Sequence, residues 1–269
     1  MNTFDNRGTA LITGASTGIG AIYADRLARR GHDLILVARN RLRLDTLARR
    51  LTDETGRSVQ VFPADLGKHS DVAAVEDLLR SDRTISMLVN NAGLGATAPL
   101  LASDIARMDE MIALNVVALT RLTYAVVPGL VERGGGTVIN IGSIVGIAPE
   151  LLNGVYGGSK AYVMAFTRSL HHELADKNIR VQAVLPGATA TEFWEVAGRP
   201  IEHLPSTIVM RADDMVDAAL AGFDQGEVFT IPALPDAGDW FAYEEARQKL
   251  LPQLSRSAPA ERYLSSPAA

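Results

Sequence analysis

The sequence predicts a single α/β domain: a doubly wound sheet of about seven parallel strands flanked by helices on both faces. Three observations predict it. Short β-branched or apolar runs alternate with longer helical patterns, the strand runs lack in–out alternation, and no linker-like stretch interrupts the series before residue 232. Strands covered on both faces read as continuous apolar runs. Strands separated by helices imply parallel pairing through right-handed crossovers. With 269 residues, 47% of them hydrophobic, the chain can bury a sizeable core.

The strands are expected at residues 9–13 (TALIT), 33–38 (DLILVA), 58–62 (SVQVF), 86–90 (SMLVN), 137–141 (TVINI), 180–185 (RVQAVL) and 227–231 (EVFTI). Helical patterns lie between them near 18–30, 41–55, 69–82, 104–131, 155–176 and 212–222. Residues 192–211 break the rhythm with Trp194, Gly198, Pro200 and Pro205, and an irregular insert of that length in a compact domain serves as a lid or binding loop. A C-terminal helix and tail occupy about 236–269, with a Ser-, Pro- and Ala-rich last dozen residues expected to be loose.

Charge and composition exclude several functions. A net charge of −5 offers no basic field for nucleic acid or an anionic membrane. The absence of cysteine removes disulfides, thiolate nucleophiles and cysteine-ligated metals. His171 and His172 are adjacent and so splayed on a helix, and no metal site is expected. The first residues carry no signal-peptide pattern. The apolar stretch 111–131 holds Arg121 at its centre, where a bilayer would charge about 2.5–3.5 kcal/mol, so it reads as a buried helix of a cytoplasmic protein without membrane partners.

The chemistry begins directly after the first strand, at "TGASTGIG" with Gly14, Gly18 and Gly20. A strand, a glycine-rich turn and a helix start suit a dinucleotide, whose pyrophosphate sits on free N–H groups at the helix N-terminus. At "VNNAGLG", residues 89–95, side-chain amides can brace that turn, and Ala92 and Gly93 leave room for a flat adenosine. Asp65, after the third strand, either accepts from an adenine amino group or caps the next helix. The second strand ends "LILVARNRLR" without the carboxylate that would bond ribose hydroxyls. Arg39 stands there instead and offers a planar fork of donors to a 2′-phosphate, with Ser16 able to add a hydroxyl bond. NADP(H) is therefore expected over NAD(H), which remains possible. The competing reading is that Asn40 only caps the next helix and that Arg41 and Arg43 simply face water.

Tyr156 and Lys160, in "NGVYGGSKAYV", lie four residues apart and share one helix face. A nearby ammonium stabilises a phenolate and lowers the tyrosine pKa from about 10, which suits a general acid or base for carbonyl–alcohol exchange. Glycines 157 and 158 are expected to let a ligand approach. Ser143, at the carboxyl end of the fifth strand, either holds the substrate oxygen or caps a turn. Asn115 interrupts an apolar helix and needs partners, which are either structural bonds or a water reaching Lys160. Val145, Pro149, Leu152, Phe193 and Trp194 are candidates for an apolar substrate pocket, and no charged group is evident among them.

These residues resemble the short-chain dehydrogenase/reductase family. The resemblance rests on "TGASTGIG", "NNAG" at 90–93, Asn115, Ser143, the Tyr156–Lys160 pair and "PGATAT" at 186–191, and spans about residues 7–231. It implies a Rossmann-type fold and an oxidoreductase acting on a small carbonyl or alcohol. Tyr156 would be the acid/base and Ser143 the donor to the substrate oxygen. Lys160 would tune the tyrosine and bind the nicotinamide ribose, and Asn115 would anchor a relay water. The implied cofactor contacts are Gly14, Ser16, Thr17, Gly18, Ile19, Gly20, Arg39, Asp65, Leu66, Asn91, Ala92, Gly93, Tyr156, Lys160, Pro186, Gly187, Thr189 and Thr191. Gly142 departs from the family pattern, where many relatives carry a second serine. A homodimer or homotetramer is expected through the helix of Tyr156 and the one around Asn115. The competing reading is a non-catalytic dinucleotide-binding regulator or scaffold of the same fold.

Overall fold

In the computed structural model, which describes residues 7–264, strands and helices alternate in the expected order. The strands are β1 Thr9–Thr13, β2 Asp33–Ala38, β3 Val59–Pro63, β4 Ile85–Asn90, β5 Gly136–Ile141, β6 Ile179–Val184, β7 Thr189–Ala190, β8 Met210–Arg211 and β9 Phe229–Thr230. The helices are α1 Gly18–Arg29, α2 Arg41–Thr55, α3 His69–Ser81, α4 Ile105–Ile112, α5 Leu119–Glu132, α6 Gly154–Glu173, α7 Phe193–Val196, α8 Ala212–Asp224 and α9 Ala237–Leu250. A seven-stranded parallel sheet runs β3-β2-β1-β4-β5-β6-β9. The order reverses between β1 and β4, and a sheet of this kind binds ligands at that switch point, outside its carboxyl edge.

Period-two side-chain direction divides the core into two layers. Ala10, Ile12, Leu34 and Leu36 point to the layer that holds Tyr23, Leu44, Val216 and Leu220. Their neighbours Leu11, Ile35 and Val37 point to the layer of Val72, Leu79, Leu122 and Leu170. Both faces of β1 are therefore buried along its whole length. Strand β3 is only partly buried because it forms the sheet edge.

Two local features depart from the expected pattern. The helix foreseen over 104–131 is continuous to Glu132, but a π-helical turn, Ala113–Ala118, joins α4 to α5 and contains Asn115. Its length and apolarity would let Ile105–Glu132 cross a membrane. Arg121, however, donates to the buried Glu76 of α3 at 2.6 and 2.8 Å, which ties this helix to its neighbour. The irregular insert is also more organised than its composition suggests. A parallel two-strand ladder pairs Thr189 with Met210 and Ala190 with Arg211, so the insert leaves and re-enters at one point.

The chain forms two compact units, residues 1–232 and 233–269. The second contains α9 and two short 3₁₀ turns, Leu251–Gln253 and Glu261–Tyr263. Residues 1–6 and 265–269, the latter the end of the tail expected to be loose, lie outside the described residues.

Candidate active site

A cleft of about 990 Å³ opens at the carboxyl edge of the sheet. Of the predicted site residues, all but Gly20 and Asn115 line it. Its floor is the glycine turn. Gly14 and Gly18 have φ of +64° and +54°, a left-handed conformation that disfavours side chains. A Cβ on Gly14 would lie 2.8 Å from the Asn91 amide nitrogen. Gly20 lies beneath the turn, since its Cβ would fall 2.4 Å from the Gly14 carbonyl oxygen. Asn91 braces the turn by donating to the carbonyls of Thr13 and Gly14 at 2.8 and 3.2 Å. The Thr13 hydroxyl accepts from the backbone N–H of Asn91 and Ala92.

Arg39 is exposed beside this floor and, among the described residues, its guanidinium has no acidic partner. Ala38 ends β2, and Asp45 is engaged with Arg41 at 3.6 Å. Asn40 caps α2 by accepting from Arg43 N–H, and it also lines the cleft. Arg43 is exposed, as expected, and pairs at the surface with Glu192 at 2.7 Å. Asp65 accepts from Gly67 N–H at 3.1 Å, capping a turn while it lines the cleft. Together the bare glycine turn and the unpaired Arg39 fit a dinucleotide with a 2′-phosphate.

The reacting groups occupy the other end. Asn153 caps α6 by accepting from the N–H groups of Val155 and Tyr156, and donates to the Ala98 carbonyl and the Ser103 hydroxyl. That buried amide fixes the start of the helix carrying Tyr156 and Lys160, a role not foreseen from the sequence. Its Asx-capping position before "GVYGG" was the available signal. Tyr156 and Ser143 are both buried at this end, and the Ser143 hydroxyl donates to the Pro186 carbonyl at 3.3 Å. Ser143 also caps the turn Ile144–Gly146, the structural one of its two foreseen roles. Lys160 donates to the Ile141 carbonyl at 2.9 Å and lies 5.9 Å from the Tyr156 ring centroid.

Burial acts on the two ionisable groups in opposite directions. The Tyr156 phenol is pushed up to about 12 by burial, with the Ser143 hydrogen bond acting against it. The Lys160 ammonium is pulled down to about 8 by the same loss of solvent. The expected lowering of the tyrosine is thus absent from the protein by itself, because desolvation outweighs the Ser143 hydrogen bond. Near neutral pH the pair is a phenol that holds its proton and a cationic lysine.

Other expectations need correction. Gly157 does not admit a ligand: its missing side chain accommodates Pro149, whose Cβ would lie 2.6 Å from an added Cβ, and neither Gly157 nor Gly158 lines the cleft. Gly142 has no room for the serine of its relatives, since an added Cβ would meet Leu185 at 2.7 Å. Asn115 is buried and makes structural bonds, pairing its amide with both backbone groups of Leu94 at 2.8 Å and donating to Ser159. The substrate end is lined by Leu94, Val145, Leu152, Phe193, Trp194 and Leu204, but Arg199 lines the cleft as well, against the expectation of no charge there. No cluster of metal-ligating side chains occurs among the described residues.

Comparison with known proteins bears on this arrangement. A family model described as short chain dehydrogenase matches residues 8–200. A very-long-chain 3-oxoacyl-CoA reductase of Anas platyrhynchos is 36% identical over 213 residues, covering 76% of this chain and 67% of its own. The solved short-chain dehydrogenase from Sphingobium yanoikuyae, in complex with NADPH, is 49% identical with a TM-score of 0.93, over 96% of this chain and 100% of that one. The bulky-bulky ketone specific alcohol dehydrogenase from Comamonas testosteroni is 45% identical with a TM-score of 0.88, over 96% and 99% of the two chains.

Proposed function

Because the chain belongs to the short-chain dehydrogenase family, we propose that its cleft reduces bulky, largely apolar ketones, with Tyr156, Ser143 and Lys160 as the reacting set. The chain is an NADP(H)-dependent oxidoreductase that interconverts a carbonyl and an alcohol. No finding favours the non-catalytic alternative. The observation that carries the ketone reading is the buried Ser143–Tyr156 pair facing an apolar wall in one cleft with the unpaired Arg39. The bulky-ketone dehydrogenase of similar fold supports the size of the substrate.

When bound, the nicotinamide supplies or accepts the hydride. The glycine turn, braced by Asn91, would bind the pyrophosphate, Arg39 would bind the 2′-phosphate, and Thr189 and Thr191 would hold the carboxamide end. In reduction, Ser143 donates to the substrate oxygen and orients it. Tyr156 then delivers its phenolic proton to that oxygen as negative charge develops there. Lys160, held by the Ile141 carbonyl, stabilises the phenolate left behind. Asn115 acts through position, tying the loop at Leu94 to α6 through Ser159. The test is NADPH and NADH oxidation with a ketone series graded by substituent size. Turnover confined to small polar aldehydes or sugars would refute the substrate class.

We take residues 1–232 as the one nucleotide-binding domain and assign no catalytic role to the C-terminal unit. A cytoplasmic, membrane-free enzyme is supported by the packing of α5 on α3 through Arg121 and Glu76. Self-association through α4, α5 and α6 is supported by exposed Ile105, Ile112, Val117 and Tyr124, with Tyr124 stacked on Phe166. Light scattering at micromolar concentration should read a dimer or tetramer mass, and a monomer would reject this.

A further inference from the structure

Within the lid, Phe193 occupies a notch made for it. A Cβ on Gly95 would lie 2.1 Å from the tip of the Phe193 ring, so the bare glycine is what lets the ring come down. There it meets Tyr156, with centroids 5.8 Å apart and planes tilted by 42°. The opposite side of the ring is held by Trp194, edge-on at 5.8 Å. The backbone carrying it is pinned on every side. Glu192 pairs with Arg43 at 2.7 Å, Trp194 Nε1 donates to the Thr189 carbonyl at 3.0 Å, and Thr97 and Arg107 donate to the carbonyls of Ala197 and Val196.

We propose that Phe193, seated on Gly95, is a specificity-determining residue: a fixed wall beside Tyr156 that limits the substituent on one side of the substrate carbonyl. The proposal rests on the ketone-reductase reading and deepens it. A carbonyl must reach the Tyr156 and Ser143 hydroxyls, so whatever narrows the space next to that ring sorts the two substituents by size. The smaller lies against Phe193 and the larger extends along the remaining apolar wall. Because the position of each substituent fixes which carbonyl face meets the hydride, the same wall sets the configuration of the alcohol. The anchors on both sides of Phe193 make it a wall rather than a flap.

The experiment compares kcat/KM for a methyl ketone and for a ketone with two bulky groups, with product configuration, in wild type, Phe193→Ala, Phe193→Leu and Gly95→Ala. Phe193→Ala should raise the bulky-to-methyl ratio at least about tenfold, in line with the discrimination one apolar contact supplies, and erode the enantiomeric excess. Phe193→Leu, which keeps apolar bulk for folding, should fall between. Gly95→Ala must push the ring out of its seat and should move the ratio in the same direction. Uniform loss of rate on both ketones, with ratio and configuration unchanged, would make Phe193 merely structural and overturn the proposal. A Gly95→Ala enzyme with the opposite shift would overturn it equally. Wild-type enzyme that reduces neither ketone would defeat the underlying reading, whereas an active wild type with unmoved ratios defeats this inference alone.

Discussion

At the dinucleotide end of the cleft the wall is backbone: Gly14 and Gly18 in left-handed conformation, the Asn91 brace, and the strand ends that converge where the sheet order reverses. At the substrate end the wall is side chains, some from the body of the fold and some from the 192–211 insert that the β7–β8 ladder closes. A backbone site demands particular residue types, because only glycine tolerates positive φ and close approach. A side-chain wall demands only shape, which many sequences supply. One end recognises a constant ligand and the other a variable one, so substitutions at the two ends should fail in different ways.

The largest expected effect falls where the two ends meet. Tyr156→Phe keeps the ring and removes the proton, so kcat should drop by about 10²–10⁴-fold, the usual contribution of a positioned acid, while the NADPH dissociation constant stays put. Steady-state turnover within tenfold of wild type would remove Tyr156 from the mechanism. Next comes the nucleotide end. Arg39→Asp removes a charge-assisted bond, worth about 1.5–3 kcal/mol, and places a carboxylate against the 2′-phosphate. The kcat/KM ratio of NADPH to NADH should fall by about ten- to a hundredfold with little change in ketone profile. A wild type that prefers NADH would show the reading of Arg39 to be wrong.

The pH dependence separates the two buried groups. Lys160 loses its charge above about 8, and Tyr156 keeps its proton up to about 12. Carbonyl reduction, which needs a protonated phenol and a cationic lysine, should hold steady below pH 8 and decline above it. Alcohol oxidation needs the phenolate and should climb with pH over the same range. Initial rates in both directions check this, and a reduction rate that rises through pH 9 contradicts it. The smallest effect belongs to Asn115→Ala, which strands the backbone groups of Leu94 and should cost about 1–3 kcal/mol of stability. Denaturant melts measure that loss, and an unchanged midpoint would deny Asn115 its structural role.

These contrasts also explain what could be read from the chain. The strands, the glycine turn and the Ser143, Tyr156 and Lys160 positions were legible because each requires a residue type at a set place on a predictable element. The pairing of Arg43 with Glu192 was not, because it joins positions 149 residues apart that local patterning leaves unrelated. Asn153 was hidden for another reason: a cap is visible locally, but its bonds to Ala98 and Ser103 depend on how the chain returns. The tyrosine shift was misread because sequence spacing reveals the nearby cation and conceals the depth of burial. The β7–β8 ladder is two residues long on each side, too short for any periodicity to announce it.

That short ladder has a consequence for how the protein can change. Thr189 and Met210 are neighbours, so the roughly twenty residues between them form a loop whose ends are already closed by the fold. Lengthening such a loop is cheap: doubling it adds only about 0.6 kcal/mol of closure entropy. Extra residues beyond Arg199, clear of the bonds that anchor Glu192, Trp194, Val196 and Ala197, can therefore be absorbed between two fixed hinges at little entropic cost.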